Sequence, residues 1–137
     1  MRTTLHRGLG CLVAALAAAA PARPGDWPQW RGPTRDGQAA GAGWPDTLAG
    51  DALKQLWRVG DLGPSYSGPV ASADTVFTTA TVDKKTEVVT AFDRKTGKEK
   101  WRAKWDGSLT VPFFAARNGS WIRATPALDG NTLYVAG

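Results

Sequence analysis

The sequence predicts an all-β protein assembled from antiparallel hairpins, and three observations carry that expectation. Short runs rich in Val, Thr, Phe, Tyr and Trp set apolar against polar side chains in alternation, the period of a half-buried strand. Gly, Pro, Asn and Asp, the residues that close tight turns, separate these runs at short intervals. One strand, turn and strand unit also occurs twice. Pro69-Val70-Ala71-Ser72-Ala73-Asp74-Thr75-Val76-Phe77-Thr78-Thr79-Ala80 aligns without a gap on Pro126-Ala127-Leu128-Asp129-Gly130-Asn131-Thr132-Leu133-Tyr134-Val135-Ala136-Gly137.

The chain has 137 residues and a formal net charge of +5. Residues 1–22 have the pattern of an export signal. Arg2, His6 and Arg7 make a positive start, Leu9 to Ala20 is an apolar run, and Ala20-Pro21-Ala22 offers an Ala-x-Ala cleavage site. The run is short for a bilayer span. The mature protein is therefore expected to begin near Arg23, to be periplasmic or secreted, and to have no stable membrane insertion. Cys11, the single cysteine, begins the apolar run rather than following it, so no lipid anchor and no thiol nucleophile are expected. His6, the single histidine, also falls in the signal and leaves no imidazole for acid–base or metal chemistry. Lys84-Lys85 and Lys95, Lys98 and Lys100 sit among acidic residues near predicted turns, the pattern of a solvated face, and no nucleic-acid partner is expected.

Residues 23–52 form a Trp/Pro/Gly-rich segment. In Asp26-Trp27-Pro28-Gln29-Trp30-Arg31-Gly32-Pro33-Thr34-Arg35-Asp36-Gly37 the Gly-Pro and Asp-Gly turn signals predict an ordered loop. Trp27 and Trp30 are expected to plug an edge of the fold, the alternative being that they stack beside Arg31 on a planar ligand or a sugar. Gln38 to Gly50 reads as an extended connection. Leu53 to Val59 reads as a lone outer strand whose partners lie elsewhere. Four strands are then predicted near residues 68–72, 75–81, 87–92 and 99–105, and a second copy of the unit begins near Ala124.

The third and fourth strands are joined by Ala91-Phe92-Asp93-Arg94-Lys95-Thr96-Gly97-Lys98-Glu99-Lys100-Trp101. Asp93 can accept backbone N–H groups just ahead of it, the Thr96 hydroxyl can do the same, and Gly97 tolerates positive φ. A hairpin closed by these three residues is predicted, with Trp101 on the returning strand.

The pattern Ala-x-Asp-x-x-Thr-Gly-Lys-x-x-Trp at 91–101 resembles the tryptophan-docking repeat of quinoprotein-type β-propellers, the pyrroloquinoline-quinone-like repeat family. The Trp-x-x-x-Arg-Gly-Pro-x-Arg-Asp-Gly opening from Trp27 is similar to that of exported bacterial members. The resemblance implies a β-propeller of four-stranded blades, with residues 53–137 covering an N-terminal closing strand, one full blade and the start of the next. In such repeats the motif joins the outer two strands of a blade and its Trp packs against a neighbouring blade. Ala91, Asp93, Thr96, Gly97 and Trp101 would thus be structural docking residues, and the Trp of Leu56-Trp57 resembles Trp101. A propeller needs several blades to close, and the chain stops within the strand-like Leu133 to Gly137. It is expected to be the N-terminal part of a longer protein, with the rest of its own propeller as first partner.

The two prolines of the repeat are further apart than Trp57 and Trp101, which places extra residues between Trp105 and Ala124. This connection holds Phe113, Phe114, Arg117, Trp121 and Arg123, and long aromatic loops are where binding concentrates. The resemblance puts it on the ligand face. Asn118-Gly119-Ser120 fits a glycosylation sequon and equally a plain turn. The family's dehydrogenases need the quinone, a hard cation such as calcium and a carboxylate base. Here Asp83, Asp93, Asp106 and Asp129 all sit beside turn residues, and no nucleophile elbow, metal-ligand spacing or phosphate-cradling loop occurs. The expectation is an exported, non-catalytic binding or scaffold module for another protein or a cell-surface polymer, similar to the propeller subunit that scaffolds outer-membrane protein assembly. The alternative is a dehydrogenase of alcohols or sugars that uses pyrroloquinoline quinone with calcium bound by residues further along.

Overall fold

A computed structural model describes residues 25–39, 41, 45–107, 113–114 and 121–137. The export signal, Arg117 and the Asn118 sequon lie outside these. The described fold is all-β. Strands β1 (Val70–Ala71), β2 (Thr75–Val82), β3 (Thr86–Asp93) and β4 (Glu99–Asp106) form one antiparallel sheet in the order β1-β2-β3-β4. Strands β5 (Ala127–Asp129) and β6 (Thr132–Tyr134) form a separate hairpin. The strands of the two copies start at equivalent residues: β1 and β5 each start just after the repeated proline, and β2 and β6 each start on the repeated threonine.

The core follows from register. Val70 pairs with Phe77, Phe77 with Ala91, and Ala91 with Trp101, so these four side chains make one row across one face. Leu128 and Leu133 of the β5–β6 hairpin pack against the buried Val70, Phe77 and Ala91. Ala91 is 0% exposed and is small for a reason. Phe77 and Trp101 stand on strands separated by β3, about 10 Å apart at the usual strand spacing. Their rings nevertheless approach to 5.8 Å between centroids at 52°. That contact passes over Ala91, and a larger side chain there would fill the space it needs.

β3 is buried from Glu87 to Phe92 on both faces, whereas β4 is exposed over most of its length. The ladder between them shifts at Ala91/Phe92, so that Phe92 faces Glu99 while Ala91 faces Trp101. This leaves Lys100 in a bulge. Its ammonium turns toward the β1–β2 turn, donating to Thr75 Oγ1 at 2.8 Å and lying 3.5 Å from Asp74.

Leu53–Val59, expected as a lone outer strand whose partners lie elsewhere, has no ladder partner among the described residues. A short 3-10 turn at Gly50–Ala52 leads into irregular chain, because a strand requires a ladder partner and none of the described strands pairs with it. The Trp pair of the opening loop also divides. Trp27 is half-buried and bridges to Ala71, while Trp30 is 63% exposed among the described residues.

Candidate functional site

Two clusters lie at opposite ends of the first sheet. The first surrounds the β3–β4 turn. Asp93 Oδ1 accepts from Lys95 N, Thr96 N and Thr96 Oγ1, and Thr96 Oγ1 accepts in turn from Lys98 N. Gly97, at φ +70, donates to Asp93 O at 2.8 Å, and Asp93 N donates to Lys98 O. The turn chemistry predicted for Asp93, Thr96 and Gly97 is therefore present in full. These donors, the Thr96 hydroxyl first and the Thr96 N–H second, hold the Asp93 carboxyl below the usual aspartate range, with Lys95 N–H and the Lys100 charge adding to them. Asp74 is lowered in the same way, by the hydroxyls of Thr75 and Ser72 and then by Lys100. Arg94 stitches the two turns together: its N–H donates to Asp74 O and its guanidinium to Ser72 O at 2.8 Å.

A tryptophan does dock on this turn, and it is Trp57. Its Nε1 donates to Arg94 O at 2.8 Å, and its ring lies so close over Gly97 that a Cβ there would sit 2.7 Å from Cδ2. Gly97 thus serves twice, by adopting the left-handed conformation and by admitting the indole. Trp101, 43% exposed, instead borders a cavity of about 210 Å³ between the first sheet and the β5–β6 hairpin, lined also by Asp74, Phe77, Leu128 and Asn131.

The second cluster is at the other end, where β2 runs into β3. Tyr66 and Trp121 stack at 5.2 Å and 30°, and the Arg123 guanidinium lies 5.1 Å from the Tyr66 ring centroid. The backbone beneath is pinned. Tyr66 N donates to Ile122 O, Ile122 N to Thr81 Oγ1, and Thr81 N to Pro64 O, while Ser67 shares a short hydrogen bond with Thr79. Nearby on the same end, Glu87 is 3% exposed and accepts from Trp105 Nε1 at 2.9 Å. Tyr66 is 48% exposed, so the cluster is a fixed aromatic and cationic platform that solvent reaches.

Of the loop residues singled out from sequence, Trp121 and Arg123 are brought together. Phe113 and Phe114 are exposed and meet edge-on at 5.9 Å, and Arg117 lies outside the described residues. Tyr66 was missed. A signal for it existed: extended upstream, the repeat alignment puts Tyr66 three residues before its proline and Arg123 three before the other.

Among the described residues no group of three His, Cys, Asp or Glu is arranged to hold a metal, and no helix is long and apolar enough to cross a membrane. Among the described residues Asp36, Asp74 and Asp93 are each engaged by donors of their own turn. No protein-family model, curated protein or solved structure matches this chain.

Proposed function

We propose that this chain is the opening part of an exported β-propeller of the pyrroloquinoline-quinone-like repeat type, working in the periplasm or outside the cell as a binding or scaffold module. Its partner is another protein or a cell-surface polymer. The sheet β1-β2-β3-β4 serves as a blade and the β5–β6 hairpin as the inner half of the next. Trp57 seated on Gly97 supports the blade reading, because it is the contact that a docking tryptophan from an adjacent unit would make. On the same logic Trp101 and its cavity receive a turn of the following unit.

The observation that carries the binding role is the Tyr66, Trp121 and Arg123 platform. It is held by backbone bonds to the sheet, and it presents the residue types that dominate binding energy at interfaces. The test is calorimetric titration of the full-length protein with pyrroloquinoline quinone in the presence of calcium, alongside binding of the protein to purified cell-envelope polymer and to envelope proteins. The expected result is no quinone binding, and envelope binding that Tyr66→Ala and Arg123→Ala each weaken by about tenfold, or roughly 1.4 kcal/mol, without lowering Tm. Saturable, calcium-dependent quinone binding near one per chain would overturn the proposal in favour of a dehydrogenase.

A further inference from the structure

The opening loop plays no part in that binding face, yet its backbone is committed at two places. Trp27 exchanges both hydrogen bonds with Ala71, N to O at 2.7 Å and O from N at 2.8 Å. The next carbonyl, Pro28 O, accepts from Leu128 N at 2.7 Å. Ala71 belongs to β1, the inner edge of the first sheet, and Leu128 to β5 of the second. In extended chain, consecutive residues direct their polar groups to opposite sides. Two residues are therefore enough to satisfy one edge with the first and the other edge with the second. Proline suits the second place, because β5 asks there for an acceptor and the imide has no N–H to leave unpaired.

The rest of the loop fixes those two residues. Gly32, at φ +80, lies against the Trp27 ring, where a Cβ would fall 2.8 Å from it. Gly32 N donates to Gln29 O and Gly37 N to Arg31 O. Arg35 Nε donates to Gln29 Oε1, and the Arg31 guanidinium donates to Asp36 O. Arg31 and Arg35 both take positive φ to close this wedge, a conformation that costs a non-glycine residue energy.

We propose that residues 25–37 are an intramolecular strap that joins the two sheets along their inner edges. With the strap seated, the β5–β6 hairpin is tied to the first sheet by hydrogen bonds as well as by Leu128 and Leu133. With it withdrawn, the amides of Ala71 and Leu128 both become open strand edges.

The test is amide hydrogen exchange in the full-length protein, compared with Gly32→Ala and with a variant lacking residues 25–37. The expected result is exchange at Ala71 and Leu128 faster by about tenfold or more in both variants, with the β3 amides of Val88 and Val89 unchanged, since local opening and global unfolding are separable in this way. Should the deletion fail to fold, Gly32→Ala alone decides, because it keeps the length of the strap and both bonded residues, Trp27 and Pro28, while its Cβ and its φ of +80 unseat the Trp27 ring. Unchanged exchange at either Ala71 or Leu128 would overturn the strap. Uniform acceleration that includes β3 would overturn it too, by showing that the segment supports the whole fold and not the joint.

Discussion

Replacing Gly97 with alanine tests the docking of Trp57 more sharply than replacing the tryptophan itself. The new Cβ meets two penalties. At φ +70 a non-glycine residue pays about 1–2 kcal/mol for the left-handed conformation. It also falls 2.7 Å from Trp57 Cδ2 and 2.8 Å from Cγ, so the indole must lift and lose its bond to Arg94 O, about 1 kcal/mol, together with part of its apolar contact. The expected cost of Gly97→Ala is about 2–4 kcal/mol, read as a shift in the denaturation midpoint of the full-length protein at constant slope. In a Trp57→Ala background there is no ring to displace, and the cost of Gly97→Ala should fall to the conformational part alone. The double-mutant cycle should then give a coupling of about 1–2 kcal/mol. Additive effects, with no coupling, would refute the claim that Gly97 is needed to admit the indole.

Two further outcomes follow from the same region. Thr96→Val should raise the Asp93 pKa toward the ordinary aspartate value in a carboxyl NMR titration, because the hydroxyl is the largest influence lowering it. Since the folded pKa of Asp93 is depressed, the stability linked to it is present above about pH 4, the unfolded value, and is lost as pH falls through the lowered folded value; Thr96→Val should flatten that loss. Ala91→Val should destabilise by about 1–3 kcal/mol through overpacking beneath the Phe77 and Trp101 rings, seen as a lowered Tm together with a changed Trp101 environment in fluorescence.

The parts of this fold that were legible in the sequence are those decided within a few residues. Asp93, Thr96 and Gly97 close their turn through contacts no more than five residues long, so the side-chain chemistry alone names the structure. The strands of the first sheet were legible because β-branched and aromatic residues run between such turns. Leu53 to Val59 reads as a strand from its apolar and aromatic residues but pairs with none of the described strands, since pairing is a property of two segments. Nothing local separates Trp27 from Trp30 either. One is taken into a bridge with Ala71, more than forty residues away, and the other is left in solvent.

The platform was half legible for a related reason. Trp121 and Arg123 stand out in an aromatic connection, but Tyr66 precedes an unremarkable Ser-Gly-Pro and gains its meaning from its place in the repeat. The two copies put Tyr66 and Arg123 at equivalent positions, and the fold brings those positions face to face, with Gly68 N donating to Thr125 Oγ1 between the next equivalent pair but one. Repetition of a backbone unit thus does more than stack sheets. It sets equivalent residues of neighbouring units side by side at one end, where a tyrosine in the first copy and an arginine in the second become a stacked pair that neither copy could make alone. Residues at such positions are constrained by each other rather than by their own turn or strand. They are therefore the positions at which a structure adds most to a sequence, and at which substitutions can change a surface while leaving the sheets beneath it intact.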